Sequence, residues 1–149
     1  MQEVNHHAMR FHWYPSVDRP TLRAALHLAL SQYPIPPLMI RQIHLEVLET
    51  LSQIVHKDGL RRPQVKKIKR HSNEHLYEIR WKLWGNVEAG GLRLYYSVVF
   101  VDEAWAVGFA FQLKNRGLNS EDSRLEQNIF IDAVLELYEA GKAVEWRIP

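Results

Sequence analysis

The sequence predicts an α+β fold in one domain, and three observations carry that expectation. Two stretches with helical apolar spacing lie before residue 60, and a third follows residue 120. Between them come three strand-like runs in succession, joined by short links, so they should pair antiparallel. The resulting order is β-α-α-β-β-β-α, with helices at the ends and a mostly antiparallel sheet between them. A chain of 149 residues suits a single domain, 1–149, large enough to bury its own core.

The first strand is the aromatic run "MRFHWY" at 9–14, broken by "PSVDRP". Asp18 is expected to cap a helix starting near Pro20. Leu22, Leu26, Ala29, Leu30 and Tyr33 keep helical spacing until "YPIPP" ends it. A second helix is expected from about Leu38 to His56, with Ile40, Ile43, Val47, Leu51, Ile54 and Val55 as its stripe and Gly59 as its stop. The basic stretch "RRPQVKKIKRH" (61–71) contains Pro63 and reads as a surface crossing into the sheet. The strands follow at Leu76–Leu83, Leu92–Val101 and Ala104–Leu113, linked by "NVEAGG" and Asp102-Glu103. Asn119 or Ser120 can cap a last helix with Glu121 and Asp122 in its first turn. Its expected buried stripe is Leu125, Ile129, Ala133, Val134 and Leu137, and its expected end is Gly141. The tail "KAVEWRIP" fits either a short strand or a loose end.

Composition narrows the class. Apolar residues make up 46% and charged residues 24%, a globular balance. There is no cysteine, which removes disulfides and thiolate metal sites and fits a cytoplasmic location. The N-terminal "MQEVNHHAMRFHWYP" has no apolar core, and runs such as "YYSVVFV" are too short to span a bilayer, so neither a secretory signal nor a membrane segment is expected. Net charge is +2 but uneven: Lys57 to Arg93 holds ten Lys/Arg against four Asp/Glu, and Glu121 to Glu139 holds one Arg against six acids. The basic part could meet a polyanion such as nucleic acid, or the two parts could be solvated faces that attract each other.

Alternation assigns faces. In the first of the three central strands Tyr77, Ile79, Trp81 and Leu83 share one side and Glu78, Arg80 and Lys82 the other. In the next, Leu92, Leu94, Tyr96, Val98 and Phe100 oppose Arg93 and Tyr95. In the last, Trp105, Val107, Phe109, Phe111 and Leu113 oppose Ala106, Gly108, Ala110, Gln112 and Lys114. A regular ladder would gather Arg80, Arg93 and Lys114 on one concave side, with the small residues 106, 108 and 110 leaving room for a ligand or a docked helix. Such cations can hold a phosphodiester and stabilise its transition state. The plainer alternative is a wet cationic face paired with Glu78 and Glu88. His71 and His75 lie four apart in "HSNEH", but the glutamate adjoins the second histidine, so this is not the zinc motif HExxH and no metal site is expected. Either could serve as a proton shuttle. His27, His44 and His56 read as surface or boundary residues of helices.

The ordered set "LYEIR", "LRLYY", "FQLKNR" and "FIDAV", preceded by the basic segment "VKKIKR", resembles the RelE-like toxins, closest to their HigB-type, phage-derived branch. The resemblance spans roughly residues 9–141 and is strongest over 65–140. It implies a RelE-like fold, with helices on a twisted antiparallel sheet. It also implies a cytoplasmic toxin that cuts mRNA on the ribosome, without metal or other cofactor, through attack of the 2′-OH. The partner it implies is a cognate antitoxin, a helix-turn-helix protein. Carried over by position, Arg80, Arg93, Lys114 and Arg116 would be catalytic. Lys66, Lys67, Lys69, Arg70 and Lys82 would grip RNA, and His71, His75 or Tyr95 would move protons. Phe130 stands where some members carry a tyrosine, and Glu78 where some carry a lysine. Other relatives with this fold poison DNA gyrase and cut no RNA, so a binding toxin or an inactive relative stays open as the alternative.

Overall fold

The computed structural model describes residues 9–31, 35–54, 65–68, 76–82, 91–100, 103–113 and 120–148. Their elements are β1 (Arg10–Trp13), α1 (Leu22–Leu30), α2 (Pro37–Ser52), β2 (Val65–Lys67), β3 (Leu76–Lys82), β4 (Gly91–Phe100), β5 (Ala104–Leu113) and α3 (Ser120–Ala143). The sheet order is β1-β5-β4-β3-β2. β1 runs parallel to β5, and every other pair is antiparallel. The expected α+β layering holds, with one strand more than expected: β2 forms at the sheet edge within the segment read as a surface crossing.

Several local expectations shift. Thr21, not Asp18, caps α1, and its hydroxyl accepts from the Ala24 N–H at 3.0 Å. A cap must sit directly before the first helical residue in extended backbone. Thr21 does so, whereas Asp18 lies inside a turn closed by Ser16 and Arg19. α2 starts on Pro37 and stops at Ser52, earlier than His56. Ile54 leaves the helix, and its carbonyl accepts from the Met9 N–H at 2.7 Å, tying α2 to the start of β1. Gly59 lies outside the described residues.

The helices cover opposite faces. α1 and α2 supply Leu26, Leu30, Ile43, Val47 and Leu51 to a core with Tyr77, Ile79 and Trp81 of β3 and Leu92, Leu94 and Tyr96 of β4. The Trp81 indole N–H donates to Thr50 Oγ1 at 2.9 Å, so the polar tip of a buried ring finds a partner on α2. α3 covers the other face through Ile131, Val134 and Tyr138, against Tyr95, Val107 and Phe109.

Two sequence expectations fail here for identifiable reasons. The ladder is not regular: Tyr95 pairs with Ala110 and Tyr96 with Gly108, so Phe109 is an extra residue in β5. A bulge of this kind reverses alternation along the strand. Trp105, Val107 and Phe109 therefore face the α3 core, while Phe111 and Leu113 face α1 and α2. The small residues do not line an open cavity either. Ala106 is in the α1/α2 core, Ala110 is in the α3 core, and the space beside Gly108 is filled by the Phe11 and Trp13 rings.

The second failure is the first half of the expected stripe of α3; Val134 is buried as expected and Leu137 packs against the same core. Leu125 and Ile129 are 58% and 63% exposed, and Ala133 is exposed. The buried set is Ile131, Val134, Tyr138 and Gly141. The helix carries two apolar stripes, and aromatic packing selects the second. Gly141 is not a stop, because α3 continues to Ala143. Its missing side chain makes room for Trp146, whose ring would lie 2.1 Å from an added Cβ. The tail is a short 3₁₀ turn, Glu145–Arg147, with Trp146 at φ 62°. The indole sits among Tyr14, Phe109 and Tyr138, with ring centroids 5.6, 5.3 and 5.5 Å away.

Candidate functional site

Strand register brings the first two candidate cations together. Arg80 of β3 stands directly opposite Arg93 of β4, and Glu78 opposite Tyr95. All four side chains lie on the α3 side by alternation. This face is not the wet one expected. Glu78 is 2% exposed and Arg93 is 8% exposed, because α3 crosses over them.

The carboxylate is the hub. Glu78 Oε1 accepts from Arg80 Nε at 3.1 Å and Nη2 at 2.8 Å. Its Oε2 lies 3.8 Å from Arg93 Nε and 3.4 Å from Gln127 Nε2 on α3. Two guanidiniums share one carboxylate, so the trio keeps one net positive charge. Arg93 Nε is buried with no hydrogen-bond partner among the described residues. Arg80 differs, since 43% of its side chain is exposed. A guanidinium carries five donors, so Arg80 can hold Glu78 and still present N–H groups to a phosphate from outside.

Tyr95 is a poor proton carrier where it sits. Its hydroxyl donates to Gln112 Oε1 at 2.8 Å, and the ring lies 5.6 Å from Phe130. Burial, reinforced by the nearby Glu78 charge, pushes its phenol well above the ordinary range. A phenol held neutral and internally bonded offers neither a base nor an accessible acid. The Arg80–Arg93 cluster can therefore bind and stabilise anionic charge, but it moves no proton itself, because guanidiniums keep theirs.

The remaining candidates divide by location. Lys66 and Lys67 lie on β2, and Lys82 ends β3. Lys69, Arg70, His71, His75, Lys114, Arg116 and Glu88 fall outside the described residues. No family of known proteins, no curated protein and no solved structure matches the chain. Among the described residues no group of His, Asp and Glu is arranged to hold a metal ion, and no helix is long and apolar enough to cross a membrane.

Sequence reasoning missed the central position of Glu78 and the parts of Gln112 and Gln127. Gln112 had a readable signal: it shares the strand face of Arg93 and is its cross-strand partner. Gln127 had none, since α3 could be oriented only after its buried stripe was known. A cavity of about 450 Å³ opens beside Gln112, lined by Arg19, Gln112, Glu126 and Phe130 among others. The Arg19 guanidinium lies 5.8 Å from the Phe130 ring centroid.

Proposed function

We propose that the chain is a RelE-like toxin of a toxin–antitoxin pair, acting in the cytoplasm as a ribosome-dependent mRNA endoribonuclease. The observation that carries this reading is the Arg80–Arg93 pair across β3 and β4, in a chain whose sequence motifs resemble that family. In the proposed reaction the 2′-oxygen forms a bond to the adjacent phosphorus and the P–O5′ bond breaks. The 2′-OH proton passes to a base, and the 5′-oxygen leaves with a proton from an acid. Arg80 and Arg93 would neutralise the extra negative charge of the pentacoordinate phosphorus, which lowers the barrier without any proton transfer of their own. Lys114 and Arg116 would complete the cationic ring, and Lys66, Lys67, Lys69, Arg70 and Lys82 would hold the RNA backbone. Proton transfer falls to His71 or His75 rather than Tyr95.

The test is mapping of mRNA 5′ ends shortly after induction of the wild type and of Arg80→Gln/Arg93→Gln. Growth arrest with new cleavages from the wild type alone supports the nuclease. A folded double variant that cuts as well as the wild type overturns the assigned site. The second reading, a toxin or inactive relative that binds without cutting, is favoured by the buried, internally bonded Tyr95 and the phenyl ring of Phe130 beside it. Arrest without new 5′ ends would select it.

A further inference from the structure

Two exposed features lie on opposite faces of the sheet and have complementary character. One is a groove of about 900 Å³ between α1 and α2. Ala24, Ile40 and Leu45 give it an apolar lining, and Arg23 and Arg41 contribute cationic walls. Both arginines are exposed, and Leu45 is 59% exposed. The other feature is the outward stripe of α3, where Glu121, Leu125, Ile129 and Glu136 recur at intervals of four, four and seven, one side of a helix. Leu125 and Ile129 are 58% and 63% exposed there. A single exposed leucine needs no explanation. Two on one stripe, flanked by acids, opposite in charge to an open apolar groove on the same molecule, are a different matter.

We infer that the outer stripe of α3 from one copy of the chain seats in the α1/α2 groove of a second copy. The dimensions agree. The α2 wall of the groove runs from Pro37 to Leu45, about 12 Å at the helical rise, and Leu125 to Ile129 spans about 6 Å. The apolar pair thus fits within the groove, with Glu121 about one turn before it and Glu136 about two turns after it. The charges agree as well: the segment Glu121 to Glu139 carries six acids and one arginine, against Arg23 and Arg41 on the groove. A third helix laid along two neighbours is ordinary helix packing. Because the two patches differ and lie on opposite faces, the contact is head-to-tail, so each bound copy still offers one free groove and one free stripe.

That property supplies the test. Light scattering and sedimentation would follow the full chain over a range of concentration and salt. Three samples are compared with the wild type: a groove variant, Arg23→Glu/Arg41→Glu; a stripe variant, Leu125→Asp/Ile129→Asp; and their equimolar mixture. All four positions are exposed, and circular dichroism checks that each variant is folded. Leu45→Asp replaces the groove variant if that one is not. The wild type should associate progressively, more strongly at low salt. Each variant alone should associate at least about tenfold more weakly. The mixture should stop at a one-to-one dimer, since the stripe variant keeps an intact groove and the groove variant an intact stripe. A wild type that stays monomeric at low salt overturns the inference and leaves the groove to an acidic helix of another protein. A mixture that stays monomeric, or variants that associate like the wild type, also overturns it.

Discussion

Replacing Glu78 by alanine removes the one carboxylate that two arginines share. The cost can be apportioned from the geometry. Arg80 loses little, because 43% of its side chain already meets water and half-exposed pairs contribute about 1 kcal/mol at most. Arg93 loses more. Its side chain is 10% exposed, and without Glu78 its guanidinium stays buried with no counter-charge among the described residues. Removing one member of a buried pair costs about 3–5 kcal/mol. The 3.8 Å separation exceeds a hydrogen bond, so the lower end applies, about 3 kcal/mol. For a domain of this length that is a fall of roughly 6–12 °C in Tm. Urea unfolding followed by circular dichroism measures it. The companion variant Glu78→Leu/Arg93→Met removes both charges together and should lie within about 1 kcal/mol of the wild type, because apolar side chains of similar size can replace a buried pair at little cost. A loss below about 0.5 kcal/mol for Glu78→Ala, the level of an ordinary surface change, would refute the view that this cluster is buried and interdependent.

Other perturbations probe separate parts of the fold. Gly141→Ala pushes a methyl into the Trp146 ring and should destabilise by about 1–3 kcal/mol, with a red-shifted tryptophan emission as the indole is displaced; unchanged emission and stability would contradict the packing. Tyr95→Phe leaves Gln112 Oε1 without its buried donor and should cost about 1 kcal/mol while leaving growth arrest intact; loss of arrest in a folded variant would return Tyr95 to the chemistry. Alkaline pH should unfold the protein through Tyr95 and Tyr96, whose phenols are both raised chiefly by burial. Unfolded phenols ionise near about pH 10 and the folded ones only at higher pH. Their contribution is therefore complete below about pH 10 and falls as pH rises, by up to about 1.4 kcal/mol per pH unit for each phenol. Urea midpoints measured across that range should decline together with the appearance of tyrosinate absorbance, and a flat profile would refute it.

The element order was legible because each segment carried its own period. Leu26 and Leu30 of α1, Val47 and Leu51 of α2, and the alternation of Leu92, Leu94 and Tyr96 in β4 all mark the buried side found in the structure. What local pattern could not carry was any choice made by a distant partner. The last helix held two apolar stripes, and the rings of Phe109 and Trp146 decided between them. The bulge at Phe109 left no mark, since "AWAVGFAFQL" alternates acceptably in either phase. The candidate site was legible in part. Arg80 and Arg93 could be placed on one face by counting twos, but α3 had to be docked before Glu78 became their buried hub.

The ten residues of β5 serve nine rungs of the ladder with β4, and that mismatch gives the strand something like a reading frame. Upstream of Phe109, odd-numbered positions belong to one core, and downstream of it they belong to the other. The two halves are therefore exchangeable only as blocks. Substitutions of like size within a block keep every side chain at its address. Deleting Phe109 itself would give a continuous ladder in which every other β5 residue keeps its β4 partner, so its cost is the ring lost from the α3 core. Taking Phe109 up as an ordinary rung is what would be ruinous: one half would slip by a residue, sending either Trp105 and Val107 or Phe111 and Leu113 to the wrong layer, and in the second case carrying Gln112 away from Arg93 as well.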